Sequence, residues 1–340
     1  MPATTIGSAA VIGPVAEQAP DHAALLRGSI SGRWRTGADS LDAMCRYALA
    51  TPGKLFRSAL LLESARLAGG DITLVMPAAV STECGHVASL IHDDIIDGDD
   101  MRRGQEAVHQ RFGVDAAIVT GDALIFDSFL GLAECRGTGA KDDCIVAALE
   151  VAARGGIEMC RGQALEAEIC GRRILDADTY VRMITMKTAA FFRSACKGGA
   201  ILVGAPPEWV DALGGYGEHL GVAFQIQDDL LPYQGNDAIT GKPALSDIRN
   251  GRLTLPIIVA YRDGFADDST VLDAALRGDL GDEALPAVTG VLHRTGAIQA
   301  CSSLAREHAD AAREALSVFP HSPSRDLLGY FAARAADRDR

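Results

Sequence analysis

Aromatic residues, paired cysteines and net positive charge are all scarce in this sequence. Aromatic side chains make up 5% of its 340 residues, and alternating runs of β-branched residues are almost absent, which argues against a β-sheet fold. A net charge of −13 argues against a nucleic-acid partner and against a cationic membrane-binding surface. The eight cysteines form no C-x-x-C pair and have no metal-type spacing, so they are interpreted as buried thiols in a reducing cytoplasm.

No signal peptide or membrane span is predicted. Residues 1–20 are rich in Ala, Pro and Gly and lack a basic segment, which predicts a disordered N-terminal tail. The most apolar long stretch, from Ile72 to His92, contains Pro77 and Glu83 and runs directly into aspartates, so it is interpreted as a core helix. We therefore expect a soluble, cytoplasmic protein.

Helix-forming residues dominate the rest of the chain. Alanine and leucine are abundant, and Gly and Pro residues separate the apolar periodic segments, which predicts helices with short connections. The predicted helices cover residues 21–29, 40–50, 55–68, 74–97, 105–112, 114–134, 141–161, 178–203, 208–231, 254–262, 267–276, 282–295, 298–317 and 323–337. Residues 21–340 are expected to form a single domain, an all-α bundle of long antiparallel helices around a central cavity.

Two acidic clusters lie in otherwise apolar segments. The first is His92-Asp93-Asp94-Ile95-Ile96-Asp97, and the second is Gln225-Ile226-Gln227-Asp228-Asp229. On a helix, Asp93 and Asp97 share one face, and carboxylates in an apolar setting need a compensating cation. Oxygen ligands in small number suit Mg²⁺, which takes its other ligands from water and a substrate phosphate. The sequence therefore predicts two facing acidic helices that hold Mg²⁺ and a diphosphate.

Basic residues recur near the predicted loops and helix ends, as a diphosphate substrate would require. They are Lys54, Arg57, Arg102, Arg103, Lys187, Lys242 and Arg252. Lys54 lies near the start of a predicted helix, where backbone N–H groups add to the attraction for an anion. Lys242 and Arg252 lie in a polar segment, residues 233–252, and a loop of this length in a compact domain is usually functional.

Each of these features has an ordinary explanation when it is taken singly. An acidic triad on a helix is often a solvated face or a cap, and Arg102-Arg103 alone has the character of surface charge. Taken alone, His86 is a hydrogen-bonded core histidine, and Gln163 and Gln225 are surface amides or satisfied core amides. The specific feature is the order and spacing of all of them together.

The combined pattern resembles the trans-isoprenyl diphosphate synthase family, and most of all its geranylgeranyl diphosphate synthases. The resemblance covers roughly residues 50 to 260. The matching segments, in chain order, are Gly53-Lys54 through Arg57, His86, Asp93-Asp94-Ile95-Ile96-Asp97, Arg102-Arg103-Gly104, Gly162-Gln163, Lys187-Thr188, Phe224-Gln225, Asp228-Asp229, Gly241-Lys242-Pro243, Ser246-Asp247 and Arg252-Leu253-Thr254-Leu255-Pro256. The resemblance implies the isoprenoid synthase type I fold and head-to-tail condensation of isopentenyl diphosphate with an allylic prenyl diphosphate.

The resemblance also implies roles for individual residues. Mg²⁺, three ions per active site and replaceable by Mn²⁺, would be bound by Asp93, Asp97 and Asp228, with Asp94 in the same catalytic motif. Isopentenyl diphosphate would be bound by a homoallylic cluster of Lys54, Arg57, His86 and Arg103. The allylic diphosphate would be bound by an allylic cluster of Arg102, Gln163, Lys187, Lys242 and Arg252. Polar groups around Lys187, Thr188 and Gln225 would stabilise positive charge on carbon.

Two positions depart from the pattern that the family shows in its polar motifs. Pro232 stands at the fifth position of the second acidic motif, where the family usually has aspartate. Proline supplies no oxygen ligand and is expected to end the helix, which leaves Asp228 as the main ligand there. Arg252 stands where a lysine is usual, and this keeps the charge but changes its geometry.

Small residues beneath the first acidic cluster predict a long product. Ala88 and Ser89 lie five and four residues before Asp93, at positions where farnesyl diphosphate synthases resemble one another in carrying bulky aromatic residues as a cavity floor. The growing chain should therefore pass fifteen carbons. Twenty carbons is the expected length, and twenty-five or more carbons is the next alternative. Candidates for a deeper floor are Phe126, Phe129 and Met159.

Two other functions remain open at this point. A class I terpene cyclase of the same fold would need the acidic clusters but not the homoallylic cluster, and Pro232 is the residue that keeps this alternative open. A non-catalytic subunit that modulates another synthase would have no need to retain Asp93, Asp94, Asp97, Asp228 and Asp229. The resemblance also implies a homodimer, in agreement with the prevalence of twofold oligomers.

Overall fold

The computed structural model describes residues 22–34, 37, 39–51, 53–234 and 246–337. The predicted tail at residues 1–20 and the candidate residue Lys242 lie outside these ranges. The helices are α1 (His22–Arg33), α2 (Ser40–Leu49), α3 (Phe56–Leu67), α4 (Ile72–Asp97), α5 (Val108–Phe112), α6 (Val114–Glu134), α7 (Asp142–Arg172), α8 (Ala177–Ile184), α9 (Ala190–Leu202), α10 (Pro207–Leu230), α11 (Ser246–Arg249), α12 (Leu255–Asp263), α13 (Ala266–Leu276), α14 (Ala284–Arg294), α15 (Ala297–Ala315) and α16 (Pro323–Ala336).

The predicted all-α architecture is confirmed. Strands are limited, within the described ranges, to β1 (Met101–Arg102) and β2 (Gln105–Glu106), which form an antiparallel pair with Met101 opposite Glu106. This hairpin directly follows α4 and replaces the start of the helix that was predicted at residues 105–112. It carries the two arginines that follow the first acidic cluster back toward α4.

Two further predicted helices, both at the site, have different boundaries in the structure. The helix predicted at residues 178–203 is interrupted by a π-helical turn, Thr185–Ala189, between α8 and α9. The helix predicted to end at residue 161 continues to Arg172. Gly162 does not end the helix, because it lies where a Cβ would overlap the backbone of Lys187. Close packing between helices therefore overrides the low helix propensity of glycine.

Two groups of buried apolar side chains hold the bundle together. One includes Phe192, Tyr216 and Leu220 and joins α10 to α9, α12, α15 and α16. The other includes Val87 and Leu124 and joins α4 to α1, α3 and α6. Burial of this much apolar surface is the main favourable term in folding. Together the two groups fix the C-terminal ends of α4 and α10, where the acidic clusters lie.

Two helices in the described part of the chain are long and apolar enough to cross a membrane. In α4 the most apolar window has a mean hydropathy of 1.3 and is 61% buried, and in α6 the corresponding values are 1.6 and 39%. The burial of α4 is that of a core helix of the bundle. On α6 and α7, by contrast, large apolar side chains are exposed, and we call them the apolar face: Ile118, Val119, Phe126, Leu130, Val146 and Ile157.

Candidate active site

The first acidic cluster lies at the C-terminal end of α4. Asp97 is the last residue of the helix, and Gly98 ends it in the left-handed conformation with a φ of 66°. A helix C-terminus carries partial negative charge and disfavours carboxylates, so the structure places cations beside them. Arg252 forms an ion pair with Asp97, and Arg102 Nε donates a hydrogen bond of 2.8 Å to the buried Asp94 Oδ1.

Asp93 lies on the same face of α4 as Asp97, one turn earlier. Burial raises the pKa of Asp93, and the charges of Asp97 and Glu166 raise it further, against the lowering effect of Lys187. A divalent cation would oppose this effect, because it favours the charged form of a carboxylate. A bound cation would therefore stabilise the ionised form of Asp93.

Lys187 and Thr188 lie in the π-helical turn between α8 and α9, a type of distortion that is frequent at functional sites. Lys187 Nζ donates to Glu166 Oε2 at 2.5 Å, and Gln163 Nε2 donates to the same oxygen at 3.1 Å. Gly162 permits this close approach of α7 to the turn. Glu166, which the sequence pattern did not single out, thus joins two predicted segments, and its place three residues after Gln163 is the signal that could have identified it.

The two aspartates of the second acidic cluster have different surroundings. Asp229 is 5% exposed and accepts hydrogen bonds from Tyr180 Oη at 2.7 Å and Gln225 Nε2 at 3.0 Å. Thr188 Oγ1 in turn donates to Gln225 Oε1 at 2.9 Å. Burial raises the pKa of Asp229 to about 7. Asp229 therefore anchors Gln225 and Thr188, whereas Asp228 is half-buried and more accessible.

The expected effect of Pro232 on the helix is confirmed. Helix α10 ends at Leu230, and a 3₁₀ turn, Leu231–Tyr233, follows it. After the segment that is not described, Arg252 returns to the site, with Nη1 3.4 Å from Asp247 Oδ1 in addition to its ion pair with Asp97. Arg252 thus connects the end of α4 to the segment after α10.

Three members of the homoallylic cluster lie together. Arg57 Nη1 is 3.3 Å from His86 Nε2, and Arg103 Nη1 donates to the main-chain oxygen of Thr51 at 3.0 Å. Gly53 lets Arg103 approach the main chain closely, because a Cβ there would lie 2.7 Å from Arg103 Cζ and the guanidinium would have to shift. Burial and the nearby arginines lower the pKa of His86 well below its usual value. His86 is therefore neutral near pH 7 and contributes hydrogen bonds rather than charge.

A buried carboxylate that the sequence analysis treated only as a helix residue adjoins this cluster. Glu83 is 1% exposed, and its Oε1 has no hydrogen-bond partner among the described residues. Burial raises the pKa of Glu83 to about 7, although Arg103 and Arg57 lower it. Lys54, the fourth member of the homoallylic cluster, is exposed just before α3.

The two small residues beneath the first acidic cluster differ in accessibility. Ala88 is fully buried in the packing of α4, whereas Ser89 is half-buried, with its Oγ donating to the main-chain oxygen of His86 at 2.8 Å. Neither residue carries a side chain that could block a growing hydrocarbon at this level. The role of the two residues in setting product length stays a prediction.

The prediction that Phe126 forms a deeper floor is wrong for this chain. Its side chain is 73% exposed on the apolar face. The face of α6 that packs against α4 includes Gly121 and Leu124, and helical periodicity turns Phe126 away from it. Phe129 and Met159, the other two candidates, are half-buried.

The acidic residues fit a metal together with a substrate rather than alone. In the ranges that the structure describes, no three His, Cys, Asp or Glu side chains form a ready-made metal-binding group. Mg²⁺ is usually held by one or two carboxylates and completes its ligands with water and substrate phosphate. Asp93 and Asp97 on α4 and Asp228 on α10 are suitable donors for ions of this kind.

Comparison with known proteins identifies the family. The polyprenyl synthetase family model matches residues 38–288. A short chain isoprenyl diphosphate synthase of Methanothermobacter thermautotrophicus is 34% identical over 302 residues, which is 88% of this chain and 91% of the relative. A geranylgeranyl diphosphate synthase of Methanosarcina mazei is 32% identical over 293 residues, 86% of this chain and 88% of the relative.

Solved structures agree with this assignment. The crystal structure of a polyprenyl synthase from Caulobacter crescentus, complexed with calcium and isoprenyl diphosphate, has a TM-score of 0.85 and 30% identity, and the match covers 95% of this chain and 96% of that one. The all-α fold, the order of the site segments and these similarities lead to one conclusion. The chain belongs to the trans-isoprenyl diphosphate synthases of the polyprenyl synthetase family, where it is most like the geranylgeranyl diphosphate synthases, and it is a prenyltransferase.

Proposed function

We propose that this prenyltransferase catalyses the Mg²⁺-dependent head-to-tail condensation of isopentenyl diphosphate with an allylic prenyl diphosphate to an all-trans product, geranylgeranyl diphosphate. The observation that carries the proposal is the presence of two separate groups of cations beside the acidic end of α4. Arg57 and Arg103 surround the neutral His86, while Lys187 and Arg252 lie beside carboxylates. Two diphosphate substrates account for two cation groups.

Three residues are proposed to bind the metal ions. Asp93, Asp97 and Asp228 would supply oxygen ligands to three Mg²⁺ ions, which Mn²⁺ could replace, and substrate diphosphate would supply further oxygens. When bound, Mg²⁺ neutralises the diphosphate and so favours its departure. Support comes from two related structures, the Caulobacter enzyme with calcium and a geranylgeranyl pyrophosphate synthase from Corynebacterium glutamicum with magnesium, both complexed with isoprenyl diphosphate.

The allylic cluster is proposed to stabilise the leaving group. Lys187 and Arg252 each hold a carboxylate in the present structure, Glu166 and Asp97 respectively, and would exchange these for diphosphate oxygens. When the C1–O bond of the allylic substrate breaks, negative charge develops on the departing diphosphate. Cations already positioned there stabilise it without reorganisation. Arg102 and Lys242, the other cations that the sequence assigns to this cluster, would add to this positive charge.

The remaining steps need no side-chain nucleophile. Thr188 and Gln225, held by Asp229, present polar groups that stabilise the allylic cation, and the apolar surroundings exclude water that would quench it. The double bond of isopentenyl diphosphate, held by the homoallylic cluster, attacks C1 and forms the new C–C bond. A proton then leaves C2 of the isopentenyl unit, and the released diphosphate accepts it.

A twenty-carbon product is proposed from the small residues Ala88 and Ser89. The names of similar proteins span several lengths: relatives of 32–34% identity are called geranylgeranyl, geranylfarnesyl, farnesyl and heptaprenyl diphosphate synthases. Sequence identity at this level therefore does not indicate the product length, and the proposal rests on the residues beneath the first acidic cluster.

A homodimer is proposed, with the apolar face as its interface. Exposed apolar patches of this extent on a protein usually mark an interaction surface, and self-complementary twofold contacts are the commonest kind. The relative from Geobacillus stearothermophilus is named a component 2 of heptaprenyl diphosphate synthase, so a heteromer is the alternative assembly. We further propose that residues 21–340 form one catalytic domain after the tail at residues 1–20, and that the enzyme acts in the cytoplasm.

A product assay tests the proposed reaction. Purified protein with Mg²⁺ is given labelled isopentenyl diphosphate and, in turn, dimethylallyl, geranyl, farnesyl or geranylgeranyl diphosphate, and products are sized after dephosphorylation. Label in geranylgeraniol is the expected result. If no starter leads to incorporation and a hydrocarbon or cyclic alcohol forms from the allylic substrate alone, the cyclase alternative replaces the condensation. If isolated protein turns over nothing with any metal, the modulatory-subunit alternative stands instead.

A further inference from the structure

One stripe of helix α4 below Asp93 carries no bulky side chain over three turns. The positions four, eight and eleven residues before Asp93 are Ser89, Gly85 and Thr82. The bulkier Leu90 and His86 lie beside this stripe. Along the stripe itself, bulk that limits product length comes from a neighbouring helix.

Two neighbouring helices approach this face closely at Gly85. A Cβ built there would lie 3.2 Å from Ser128 Cβ on α6 and 3.5 Å from Phe191 Cζ on α9. Serine is too small to close a cavity. Phe191 reaches across from α9 with the tip of its ring against α4, so it is the bulky side chain at this level.

Two residues of the homoallylic cluster, Arg57 and His86, contact the ring of Phe191. Arg57 Cζ lies 5.5 Å from the ring centroid, and the His86 ring lies 6.3 Å away in an edge arrangement. Contacts of both kinds favour one orientation of an aromatic ring. Its neighbour Phe192 is fully buried in the core, whereas Phe191 is half-buried, so Phe191 is the one that borders accessible space.

The depth of this contact corresponds to one additional isoprene unit. With a rise of 1.5 Å per residue, Ser89 lies about 6 Å below Asp93 along the helix axis, and Gly85 about 12 Å below it. The difference is close to one helical turn of about 5.4 Å, which is also close to the length of one extended five-carbon unit. A floor at Gly85 therefore admits one unit more than a floor at Ser89.

We propose that Phe191, through its contact with α4 at Gly85, is the residue that limits product length. This proposal rests on the proposed condensation. Bulk at Ser89 would stop the chain at fifteen carbons, whereas the ring of Phe191 stops it one unit later, at twenty. Removing the ring opens the space beneath Gly85 toward Thr82, and the chain continues.

Phe191→Ala is expected to lengthen the product. With labelled isopentenyl diphosphate in excess and farnesyl diphosphate as starter, the main product of the wild type is expected at twenty carbons. In the variant we expect the fraction of products longer than twenty carbons to rise at least tenfold. Phe191→Leu is the second variant, for the case that the alanine variant does not fold, because leucine keeps an apolar side chain of moderate size. In this variant we expect a smaller increase in product length.

Two further variants separate this proposal from other effects. Phe192→Leu removes the adjacent ring, which is buried in the core and also contacts Arg57, with Arg57 Cζ 4.5 Å from its centroid. Because Phe192 does not border the accessible space, this variant is expected to leave product length unchanged even where it lowers the rate. Ser89→Phe is expected to shorten the main product to fifteen carbons, which would show that the chain passes Ser89. Unchanged or shorter products from folded Phe191→Ala or Phe191→Leu, beside an active wild type, would overturn the assignment of the floor. Absence of condensation by the wild type would instead overturn the proposed function.

Discussion

Glu83→Gln is expected to change the way in which stability depends on pH. Glu83 is 1% exposed, and burial raises its pKa from 4.5 to about 7 against the opposing effect of Arg103 and Arg57. Because the folded-state pKa lies above the unfolded value, the stability from this group is complete below pH 4.5 and is lost as the pH rises through about 7. Each pKa unit corresponds to about 1.4 kcal/mol, so ionised Glu83 costs the folded protein roughly 3 kcal/mol above about pH 8.

Glutamine has nearly the same shape and does not ionise. The difference in free energy of unfolding between variant and wild type should therefore shift in favour of the variant by about 2–3 kcal/mol between about pH 5 and about pH 8. Any effect of the glutamine amide on the free energy of unfolding that does not depend on pH cancels when the two pH values are compared. The pKa of the buried Asp229 is also raised, to about 7, but Asp229 is present in both proteins and its effect cancels.

Urea unfolding followed by circular dichroism, at one protein concentration and several pH values, measures this difference. Glu314→Gln is the matched control, because Glu314 is exposed on α15 and its replacement removes no buried charge. A difference between Glu83→Gln and wild type that stays constant across this pH range would refute the reasoning that Glu83 is buried without adequate compensation.

Three further substitutions test the packing, the network and the assembly. Gly162→Ala places a Cβ against the backbone of Lys187, and this overpacking should lower the free energy of unfolding by about 1–3 kcal/mol and lower kcat. Gly171 lies on the same helix, and a Cβ there would have no atom within 4 Å. Gly171→Ala should therefore leave the thermal unfolding temperature unchanged or raise it. Tyr180→Phe leaves a buried oxygen of Asp229 without its hydrogen bond and should cost about 1–3 kcal/mol, whereas wild-type stability would contradict the anchoring role. Phe126→Asp should convert a dimer into monomers in sedimentation experiments, and an unchanged oligomeric state would exclude the apolar face as interface.

The sequence by itself determined the helical class and the identity of most candidate ligands. Asp93 and Asp97 could be placed on one face because helical periodicity is a local property of the chain. The helix end at Pro232 was likewise predictable, since proline removes a backbone donor wherever it stands. The order of basic and acidic segments was enough to suggest two diphosphate substrates, because the charge and spacing of residues can be read directly from the sequence.

The tertiary structure decided which side chains meet and which way they face. Tyr180 lies far along the chain from its partner Asp229, so no local pattern could select it, and the contact of Glu166 with Lys187 depends on the packing of α7 against the π-helical turn. Phe126 lies on a helix of correctly predicted bounds, yet it faces outward, because the orientation of a helix is set by the packing of its other face against α4. Long-range packing also overrides local helix propensity, as α7 shows by continuing through Gly162. It also buries carboxyl groups such as that of Glu83, and this burial raises their pKa.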